Sequence, residues 1–332
     1  MNLLVTGGLG FIGSNFVRLV LTERPDWNVV NYDVVTYAGN PANLADIQDS
    51  PKYSFVKGDI ADEKAVVDLF ATHGPFDTVV NFAAETHVDR SLHQSAVFLR
   101  TNVAGTEVLL RTSMEGKVGR FLQISTDEVY GSTPEGRRFT ETDPLEPSSP
   151  YSASKAGADL TVLAFGRSFG LPVVITRSSN NYGPYQYPEK LLPLFITNLM
   201  AGRQVPVYGD GLQVRNWLYV EDNCRGVLAV LENGADGQVY NVGSENEATN
   251  LDMTKVLIAA MGKGEDAIMY VKDRPGHDRR YALDSSKLTG ELGWKPAVSL
   301  EEGVKRTVEW YTANRSWWEP LRQKSYEPWK RW

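Results

Sequence analysis

A glycine-rich loop near the start of the chain places the strongest restriction on its fold. Gly7 and Gly10 follow the apolar run LLVT at 3–6 and precede the helical segment FIGSNFVRLVL, whose third residue is Gly13. Glycines at this spacing let the backbone turn tightly and approach a pyrophosphate, whose charge is favoured by the free N–H groups at a helix start. Asp33 closes the next apolar run, and its distance of 33 − 13 = 20 residues from Gly13 is typical of a carboxylate that binds a ribose diol. The pattern predicts a strand, a turn and a helix that bind a dinucleotide.

The charge of Asp33 also discriminates between dinucleotides. A carboxylate repels the 2′-phosphate of NADP, and no arginine stands beside Asp33 to bind that phosphate. We therefore expect the cofactor to be NAD. Asp59 and Ile60 end the third apolar run, where they either contact the adenine or belong to an ordinary turn.

Apolar runs rich in β-branched residues alternate with helical segments through the first half of the chain. The runs that predict strands cover 3–6, 29–32, 53–56, 78–84, 121–125 and 172–176. This order predicts an α/β fold with a doubly wound parallel sheet, covered on both faces, whose ligands bind at the carboxyl ends of the strands.

The second half of the chain has a different composition. Proline, glycine and aromatic residues become frequent after residue 178, although GQVYNVG predicts one more strand of the same sheet. We predict a Rossmann NAD-binding domain interleaved with a smaller C-terminal substrate lobe. The predicted NAD-binding domain comprises residues 1–177 and about 216–243, and the nucleotide-sugar-binding lobe comprises 178–215 and 244–332.

Composition and charge narrow the classes of function. The 332 residues are 42% hydrophobic and 23% charged, which is typical of a globular protein with a sizeable core. A net charge of −7 without a Lys/Arg block argues against sequence-independent binding to nucleic acid. The single cysteine, Cys224, suits a reducing compartment, and we recognise no signal peptide or membrane-spanning run. We therefore expect a cytoplasmic protein. The four histidines lack metal-ligand spacing, so we expect no metal site.

The segment SSPYSASKAGADL places Tyr151 and Lys155 one turn apart on a predicted helix that begins after Pro150. A tyrosine has an ordinary pKa of about 10, and a nearby ammonium favours its phenolate. Such a phenolate could accept the proton of a sugar hydroxyl while the same carbon is oxidised. By itself the spacing also fits an exposed aromatic residue beside a lysine.

The segment STDEVYG at 125–131 places two adjacent carboxylates, Asp127 and Glu128, after a predicted strand. Neighbouring carboxylates in a low-dielectric site push their pKa values apart, so that one can act as an acid and the other as a base. The alternative is a pair of capping or solvated acids, since Asp is favoured in turns and caps.

Taken together, these features resemble the extended short-chain dehydrogenase/reductase superfamily over nearly the whole chain. Thr126 at a strand end and the Tyr-x-x-x-Lys helix support the resemblance. Further matching segments are NFAAETHVDRS at 81–91, TN at 101–102, RSSNNYGPYQYPEKL at 177–191, PVYGDG at 206–211, RNWLYVED at 215–222 and DRPGHDRRYA at 273–282. Within the superfamily, STDEVYG is similar to nucleotide-sugar 4,6-dehydratases, whereas 4-epimerases carry small residues in place of Asp127 and Glu128.

The resemblance implies that a nucleotide sugar, expected to be dTDP-glucose, loses water. Tyr151, supported by Thr126 and Lys155, would accept the C4 hydroxyl proton while C4 is oxidised by NAD. Glu128 would remove the C5 proton, and protonated Asp127 would donate to the departing C6 hydroxyl, because hydroxide is a poor leaving group. Return of the hydride to C6 would give a 4-keto-6-deoxy sugar for deoxysugar biosynthesis, with rhamnose among the possible end products. The alternatives are a 4-epimerase, a dehydratase of UDP-glucose, and a non-catalytic NAD-binding regulator.

The resemblance also implies binding residues and a homodimer. The set that would hold NAD comprises Gly7, Gly10, Phe11, Ile12, Gly13, Asp33, Thr36, Asp59, Ile60, Phe82, Ala83, Ala84, Thr86, Thr101, Tyr151, Lys155 and Asn181. The set that would hold the nucleotide sugar comprises Thr86, Thr126, Asn180, Lys190, Leu191, Pro206, Val207, Tyr208, Arg215, Asn250, Arg274 and His277. The cations of the second set suit a diphosphate, and Tyr208 could stack on the base. Helices around 95–115 and 152–169 would form the dimer.

Overall fold

The computed structural model describes residues 1–322, so the last ten residues of the predicted 244–332 segment lie outside the described residues. We number its strands in chain order: β1 (Asn2–Thr6), β2 (Asn28–Asp33), β3 (Tyr53–Lys57), β4 (Thr78–Asn81), β5 (Arg120–Thr126), β6 (Val173–Ser178), β7 (Asn180–Tyr182), β8 (Val205–Tyr208), β9 (Val214–Tyr219), β10 (Val239–Val242), β11 (Glu247–Thr249) and β12 (Ile268–Val271).

The α-helices are α1 (Phe11–Glu23), α2 (Glu63–His73), α3 (Val88–Ser91), α4 (Ser95–Phe98), α5 (Thr106–Glu115), α6 (Pro150–Phe169), α7 (Leu191–Met200), α8 (Val220–Asn233), α9 (Asn250–Ala260), α10 (Ser286–Leu292), α11 (Leu300–Ala313) and α12 (Arg315–Arg322). A π-helix at Leu99–Gly105 joins α4 to α5, and 3₁₀ turns lie at Pro41–Leu44, Asp127–Tyr130 and Glu265–Ala267.

Seven parallel strands form the main sheet, in the order β10-β6-β5-β4-β1-β2-β3. The predicted doubly wound parallel sheet is therefore confirmed, and GQVYNVG returns to it as β10. The direction of winding reverses between β1 and β4, which is the switch point where such sheets bind ligands. The predicted strand at 78–84 ends at Asn81, because its pairing with β1 stops at Thr6, although the Phe82 nitrogen still donates to the Thr6 carbonyl oxygen at 3.1 Å.

Helices cover both faces of this sheet. On one face, α1 and α8 pack against the strands through buried residues such as Phe16, Val17 and Val227. On the other face, α2, α5 and α6 contribute Val66, Leu109 and Val162. Because both faces are buried, the inner strands are almost continuously apolar, which explains why their sequence signal is clear. The edge strand β3 is partly exposed.

A third hydrophobic cluster lies outside the main sheet. It includes Phe195 of α7, Trp217 of β9, Leu257 of α9 and Tyr311 of α11. Two small sheets, β11-β9-β7 and β12-β8, belong to the same half of the chain. The bounds that we assign to the two domains stay predictions. Within residues 1–322, no helix combines the length and the apolar character needed to span a membrane.

Candidate active site

The glycine loop lies at the carboxyl end of β1, where the chain turns into α1. Gly7 has a φ angle of +69°, and a side chain there would place its Cβ 2.6 Å from the backbone nitrogen of Ala83. A Cβ at Gly13 would lie 2.4 Å from the carbonyl oxygen of Gly7. Glycine is therefore required at both positions, and the loop leaves backbone N–H groups at the start of α1 open to an anion. This cradle fits the pyrophosphate of a dinucleotide.

Asp33 ends β2 beside this loop. Its Oδ2 accepts a hydrogen bond from the Leu9 nitrogen at 3.0 Å, and its Oδ1 accepts one from the Val35 nitrogen at 2.7 Å. Burial raises the pKa of the Asp33 carboxyl, and these two backbone bonds oppose that effect. Each oxygen keeps a further lone pair, so the carboxylate can still accept bonds from a ribose diol.

A cavity of about 430 Å³ opens at the carboxyl ends of the strands. All residues of the predicted NAD set line this cavity, from Gly7 to Asn181. Thr126, Asp127, Glu128, Asn180 and Lys190 also line it. The chain therefore brings the predicted cofactor residues and the predicted acid, base and redox residues into one space.

A second cavity of about 200 Å³ contains most of the predicted nucleotide-sugar set: Asn180, Lys190, Leu191, Pro206, Val207, Tyr208, Arg215, Asn250, Arg274 and His277. The two exceptions, Thr86 and Thr126, line the larger cavity instead. Glu128, Asn180, Glu189 and Lys190 line both cavities. The two spaces thus share a wall, and Glu128 lies in it.

Tyr151 and Lys155 are buried one turn apart on α6, which Ser149 and Ser152 cap at its start. The Lys155 Nζ donates a hydrogen bond to the carbonyl oxygen of Ile124 at 2.6 Å. Burial, together with Glu128, raises the pKa of Tyr151, which is opposite to the direction that we predicted from the neighbouring ammonium. Burial also lowers the pKa of Lys155 to about 8. The ammonium is bound to the strand backbone, so it does not offset the desolvation of the phenol.

Asp127 and Glu128 open the 3₁₀ turn that follows β5. Thr126 caps this turn, since its Oγ1 accepts a hydrogen bond from the Glu128 nitrogen at 3.3 Å. Asp127 is only 2% exposed, and its Oδ2 has no hydrogen-bond partner within the described part of the chain. Neither carboxylate therefore caps the turn, and Asp127 is not a solvated loop acid.

The surroundings of the two carboxylates differ. Burial and then Glu128 raise the pKa of Asp127 to about 8, with Arg215 opposing. Burial also raises the pKa of Glu128, but Arg274, Lys190 and Arg215 all oppose that rise. The arrangement favours a protonated Asp127 beside an ionised Glu128.

Cations converge on the smaller cavity. The guanidinium of Arg215 lies 4.4 Å from the ring centre of Tyr281 and donates to the carbonyl of Asp278 at 3.0 Å. Arg274 has its Nε 3.4 Å from Oδ1 of Asp89, while its buried Nη1 has no hydrogen-bond partner among residues 1–322. An unsatisfied buried cationic donor fits an anionic ligand such as a diphosphate.

His277 lies beside these cations and is neutral at ordinary pH. Burial, followed by Arg274 and Arg215, lowers its pKa to about 4. Its Nδ1 is 2.6 Å from Oδ1 of Asp273, and its ring makes an edge contact with Tyr208 at 6.1 Å between centres. His277 therefore orients Tyr208 through packing and adds no charge.

Sequence reasoning missed Glu189 of the shared wall and His87 of the smaller cavity. Glu189 is buried, accepts a hydrogen bond from the Tyr37 hydroxyl at 3.0 Å, and has an oxygen 3.6 Å from Nε2 of His87. Burial raises the pKa of Glu189. Glu189 and His87 fall in segments that carried the resemblance, next to Lys190 and Thr86 respectively. Their spacing in the sequence did not distinguish them from charged residues at the surface. Among residues 1–322, no group of three or more His, Cys, Asp or Glu side chains is arranged to hold a metal ion.

The chain is similar to known proteins both in sequence and in structure. The family model described as GDP-mannose 4,6 dehydratase matches residues 4–307. A dTDP-glucose 4,6-dehydratase of Streptomyces niveus is 52% identical over 326 residues, covering 97% of this chain and 96% of the relative. The solved structure of a dTDP-glucose 4,6-dehydratase of Streptomyces venezuelae with NAD bound has a TM-score of 0.93 and 51% identity, and covers 97% of this chain and 100% of that chain. The solved structure of the UDP-glucose 4-epimerase of Thermotoga maritima has a TM-score of 0.88 but only 33% identity. The match covers 95% of this chain and 100% of that chain.

Proposed function

The chain belongs to the dTDP-glucose 4,6-dehydratase family, and we propose that it converts dTDP-glucose to dTDP-4-keto-6-deoxyglucose and water. The observation that carries this proposal is the position of Asp127 and Glu128. One is a buried acid, and the other is a carboxylate surrounded by cations in the wall between two ligand-sized spaces. Epimerisation at one carbon requires neither group, whereas removal of water requires both an acid and a base.

We assign the larger cavity to NAD. The glycine loop would hold its pyrophosphate, Asp33 its ribose diol, and the Tyr151 and Lys155 side chains would lie beside the reacting sugar. When bound, NAD supplies the chemistry of removing the C4 hydrogen as hydride and returning it to C6. The absence of an arginine beside Asp33 favours NAD over NADP.

Tyr151 would take up the proton of the C4 hydroxyl as C4 becomes a ketone. Its phenolate is disfavoured by burial, so the chain must supply compensation. The hydrogen bond with Thr126 lowers the pKa of Tyr151 and supplies part of this compensation, whereas the Lys155 ammonium is held by the Ile124 carbonyl. The Thr126 O–H donates to Oδ1 of Asp127, and it would turn to the developing carbonyl oxygen when substrate binds.

Glu128 and Asp127 would then remove water across C5 and C6. The C4 ketone acidifies the C5 hydrogen, which Glu128 removes as a proton. Asp127, protonated on the oxygen that lacks a partner, would donate to the C6 hydroxyl so that it leaves as water. As the hydride returns to C6, the protonated Glu128 would give its proton back to C5, which completes the C6 methyl group. Release of the proton held by Tyr151 and uptake of one by Asp127 then restore the starting protonation states.

Isotopic labelling tests the reaction against the epimerase alternative. The protein is given dTDP-glucose deuterated at C4, and the product is examined by NMR. Deuterium in the C6 methyl group, without net accumulation of reduced cofactor, is the expected result. A galactose product that keeps deuterium at C4 would show an epimerase. Unchanged substrate in the presence of tightly bound cofactor would favour the non-catalytic regulator.

dTDP differs from UDP by the 5-methyl group of the base and by the absence of the 2′-hydroxyl of the ribose, and we base the expectation of dTDP on the methyl group. Burial of a methyl in an apolar pocket discriminates by about 1 to 3 kcal/mol, or roughly 10-fold to 200-fold. Leu191, Leu194 and Phe195 line the smaller cavity and provide apolar surface for it. We expect kcat/KM for dTDP-glucose to exceed that for UDP-glucose within this range, and equal values would contradict the assignment.

We also infer a cytoplasmic homodimer. The buried, single Cys224 suits a reducing compartment. Leu99 on the π-helix is 53% exposed and Leu160 on α6 is 58% exposed, and both lie in the segments predicted to pair. Leu99→Glu with Leu160→Glu should convert a species of twice 36.9 kDa into a monomer in sedimentation. Val67→Glu, at a side chain of α2 that is 41% exposed, is the matched control and should leave the mass unchanged.

A further inference from the structure

A buried arginine, Arg177 on β6, binds two different elements of the site. Its Nε donates to Oδ2 of Asp159 on α6 at 2.9 Å. Its Nη1 donates to the hydroxyl oxygen of Tyr130 at 2.8 Å. Arg177 is 3% exposed and lines neither cavity, so it does not contact substrate or cofactor.

The first contact leads to the predicted redox pair. Asp159 is fully buried on α6, one turn beyond Lys155 and two turns beyond Tyr151, so the three side chains share a helix face. The negative charge of Asp159 raises the pKa of Lys155, against the larger effect of burial. Arg177 therefore ties the face of α6 that carries Tyr151 and Lys155 to the sheet.

The second contact leads to the predicted acid and base. Tyr130 is the last residue of the 3₁₀ turn that begins with Asp127. Its hydroxyl donates to Oδ1 of Asn241 on β10 at 2.9 Å, and its ring stacks on Phe139 with 5.2 Å between centres. The Arg177 guanidinium also lies 4.8 Å from the centre of the Tyr130 ring. The position of this turn thus depends on Arg177 and on β10.

We infer that Arg177 is a positioning residue that holds the Tyr151–Lys155 pair and the Asp127–Glu128 pair at one fixed separation. The inference rests on the proposed function, in which both pairs act on adjacent carbons of one sugar. A planar guanidinium with several donors fixes two directions at once, which a lysine ammonium does not. A displacement of about 1 Å between reacting groups costs on the order of 100-fold in rate.

Stability alone is a poor explanation of this network. A buried ion pair is often no more stabilising than apolar residues of similar volume, because desolvation offsets the attraction. The side chains of Arg177 and Asp159 are 4% and 0% exposed, and Oδ1 of Asp159 has no hydrogen-bond partner within residues 1–322. Such a costly arrangement is better explained by the geometry that it imposes on α6 and on the turn.

Two variants break the two contacts separately. Tyr130→Phe removes the bond from Arg177 to the turn, together with the bond to Asn241, and we expect kcat to fall about 10-fold to 100-fold because elimination slows. The oxidised sugar and the reduced nicotinamide absorbance should then accumulate within a turnover. Asp159→Asn removes the ion pair to α6 and weakens its hydrogen bond, and oxidation at C4 should slow to a similar degree without such accumulation. KM for dTDP-glucose should change by no more than about threefold in both, because neither residue lines the smaller cavity.

Asp159→Asn leaves the Arg177 charge without its partner and is expected to lower Tm. Asp159→Glu therefore serves as a second variant, since it keeps the charge and displaces the contact by one methylene. Like Asp159→Asn, the Asp159→Glu variant should slow oxidation at C4 rather than elimination. Arg177→Lys keeps the positive charge but loses the planar guanidinium that donates in two directions. It should slow both oxidation and elimination.

Matched controls separate positioning from general destabilisation. Tyr240→Phe removes a buried hydroxyl on β10 that bonds Glu291, and Asp222→Asn alters a buried carboxylate on α8 that bonds the Val298 nitrogen. Both should lower Tm while keeping the parent kcat. Parent-like kcat in Tyr130→Phe and Asp159→Glu, or equal slowing of both steps in every variant, would overturn the inference. Failure of the unaltered protein to convert dTDP-glucose would instead overturn the proposed function.

Discussion

The Thr126 hydroxyl donates a hydrogen bond to Oδ1 of Asp127 at 3.2 Å, while Oδ2 of the same carboxyl has no hydrogen-bond partner in the described chain. One oxygen is thus held by the protein and the other is available to carry a proton. This asymmetry suits a general acid that must point a single O–H at a leaving group. It also links the acid directly to the threonine that we expect to bind the C4 oxygen.

The pH dependence of turnover follows from Asp127. Burial and Glu128 raise its pKa from 3.8 to about 8, so the acid is protonated below that value and lost above it. We expect kcat/KM for dTDP-glucose, which reports the groups of the free enzyme, to fall as the pH rises through about 8. By linkage, the raised pKa also means that this group destabilises the fold progressively between pH 3.8 and about 8. A profile of kcat/KM against pH that stays flat through about 8 contradicts the assignment of the acid.

Replacement of the acid should depend on the leaving group. In Asp127→Asn, we expect kcat for dTDP-glucose to fall about 100-fold to 10,000-fold, the usual contribution of general acid catalysis. A substrate with fluoride at C6 needs less protonation to leave, so its kcat should fall much less. Steady-state rates on both substrates provide the measurement, and equal losses would remove the acid role.

Replacement of the base should separate oxidation from elimination. Glu128→Gln keeps the size and polarity of the side chain but cannot accept the C5 proton. Oxidation at C4 should proceed, and the reduced nicotinamide absorbance should rise and persist while product formation falls at least about 100-fold. Product formation at the parent rate would show that another group removes the C5 proton.

The buried ammonium of Lys155 should lower the free energy of unfolding. Burial lowers its pKa from 10.5 to about 8, a difference worth about 3 kcal/mol below pH 8. Lys155→Met removes this cost and the charge-assisted hydrogen bond to Ile124, which is worth about 2 kcal/mol. We expect the cofactor-free variant to be about 1 kcal/mol more stable than the parent in urea at pH 7, and inactive.

The stability difference should depend on pH in a defined direction. A lowered lysine pKa means that the unfolded chain binds more protons between pH 8 and 10.5, so the stability of the parent rises across that window. The advantage of Lys155→Met should therefore shrink toward pH 10.5. Lys64→Met, at an exposed side chain, should have the same stability as the parent at every pH. A Lys155→Met variant less stable than the parent would contradict the prediction.

The glycine loop should tolerate no side chain at Gly7. Gly7→Ala meets an unfavourable φ of +69° and a backbone contact at 2.6 Å, so we expect a loss of about 2 to 4 kcal/mol and little bound NAD in the purified protein. Gly237→Ala is the matched control, with a φ of +76° and no atom near its Cβ. It should lose only about 1 to 2 kcal/mol and keep its NAD. Similar losses in both variants would show that the backbone angle alone matters.

Much of the fold can be read from local patterns in the chain. The strand runs, the glycine loop and Asp33 depend on neighbours within one βαβ unit, so spacing was sufficient to predict the parallel sheet and the dinucleotide site. The resemblance added the remaining cavity residues, because they fall in short contiguous segments such as PVYGDG and DRPGHDRR. These predictions required no knowledge of how distant segments meet.

The protonation states and the supporting contacts depend on residues far apart in the chain. Tyr151 has a raised pKa because β5, α6 and the turn at Asp127 enclose it, and Lys155 binds Ile124, 31 residues earlier, instead of favouring the phenolate. Arg177 joins Tyr130, 47 residues earlier, to Asp159. Desolvation and charge coupling vary with the three-dimensional distance between groups, which a one-dimensional spacing does not contain. The residue types and their order thus specify which chemistry is available, and the packing of α6 against β5 and β6 sets the protonation state in which each group can act.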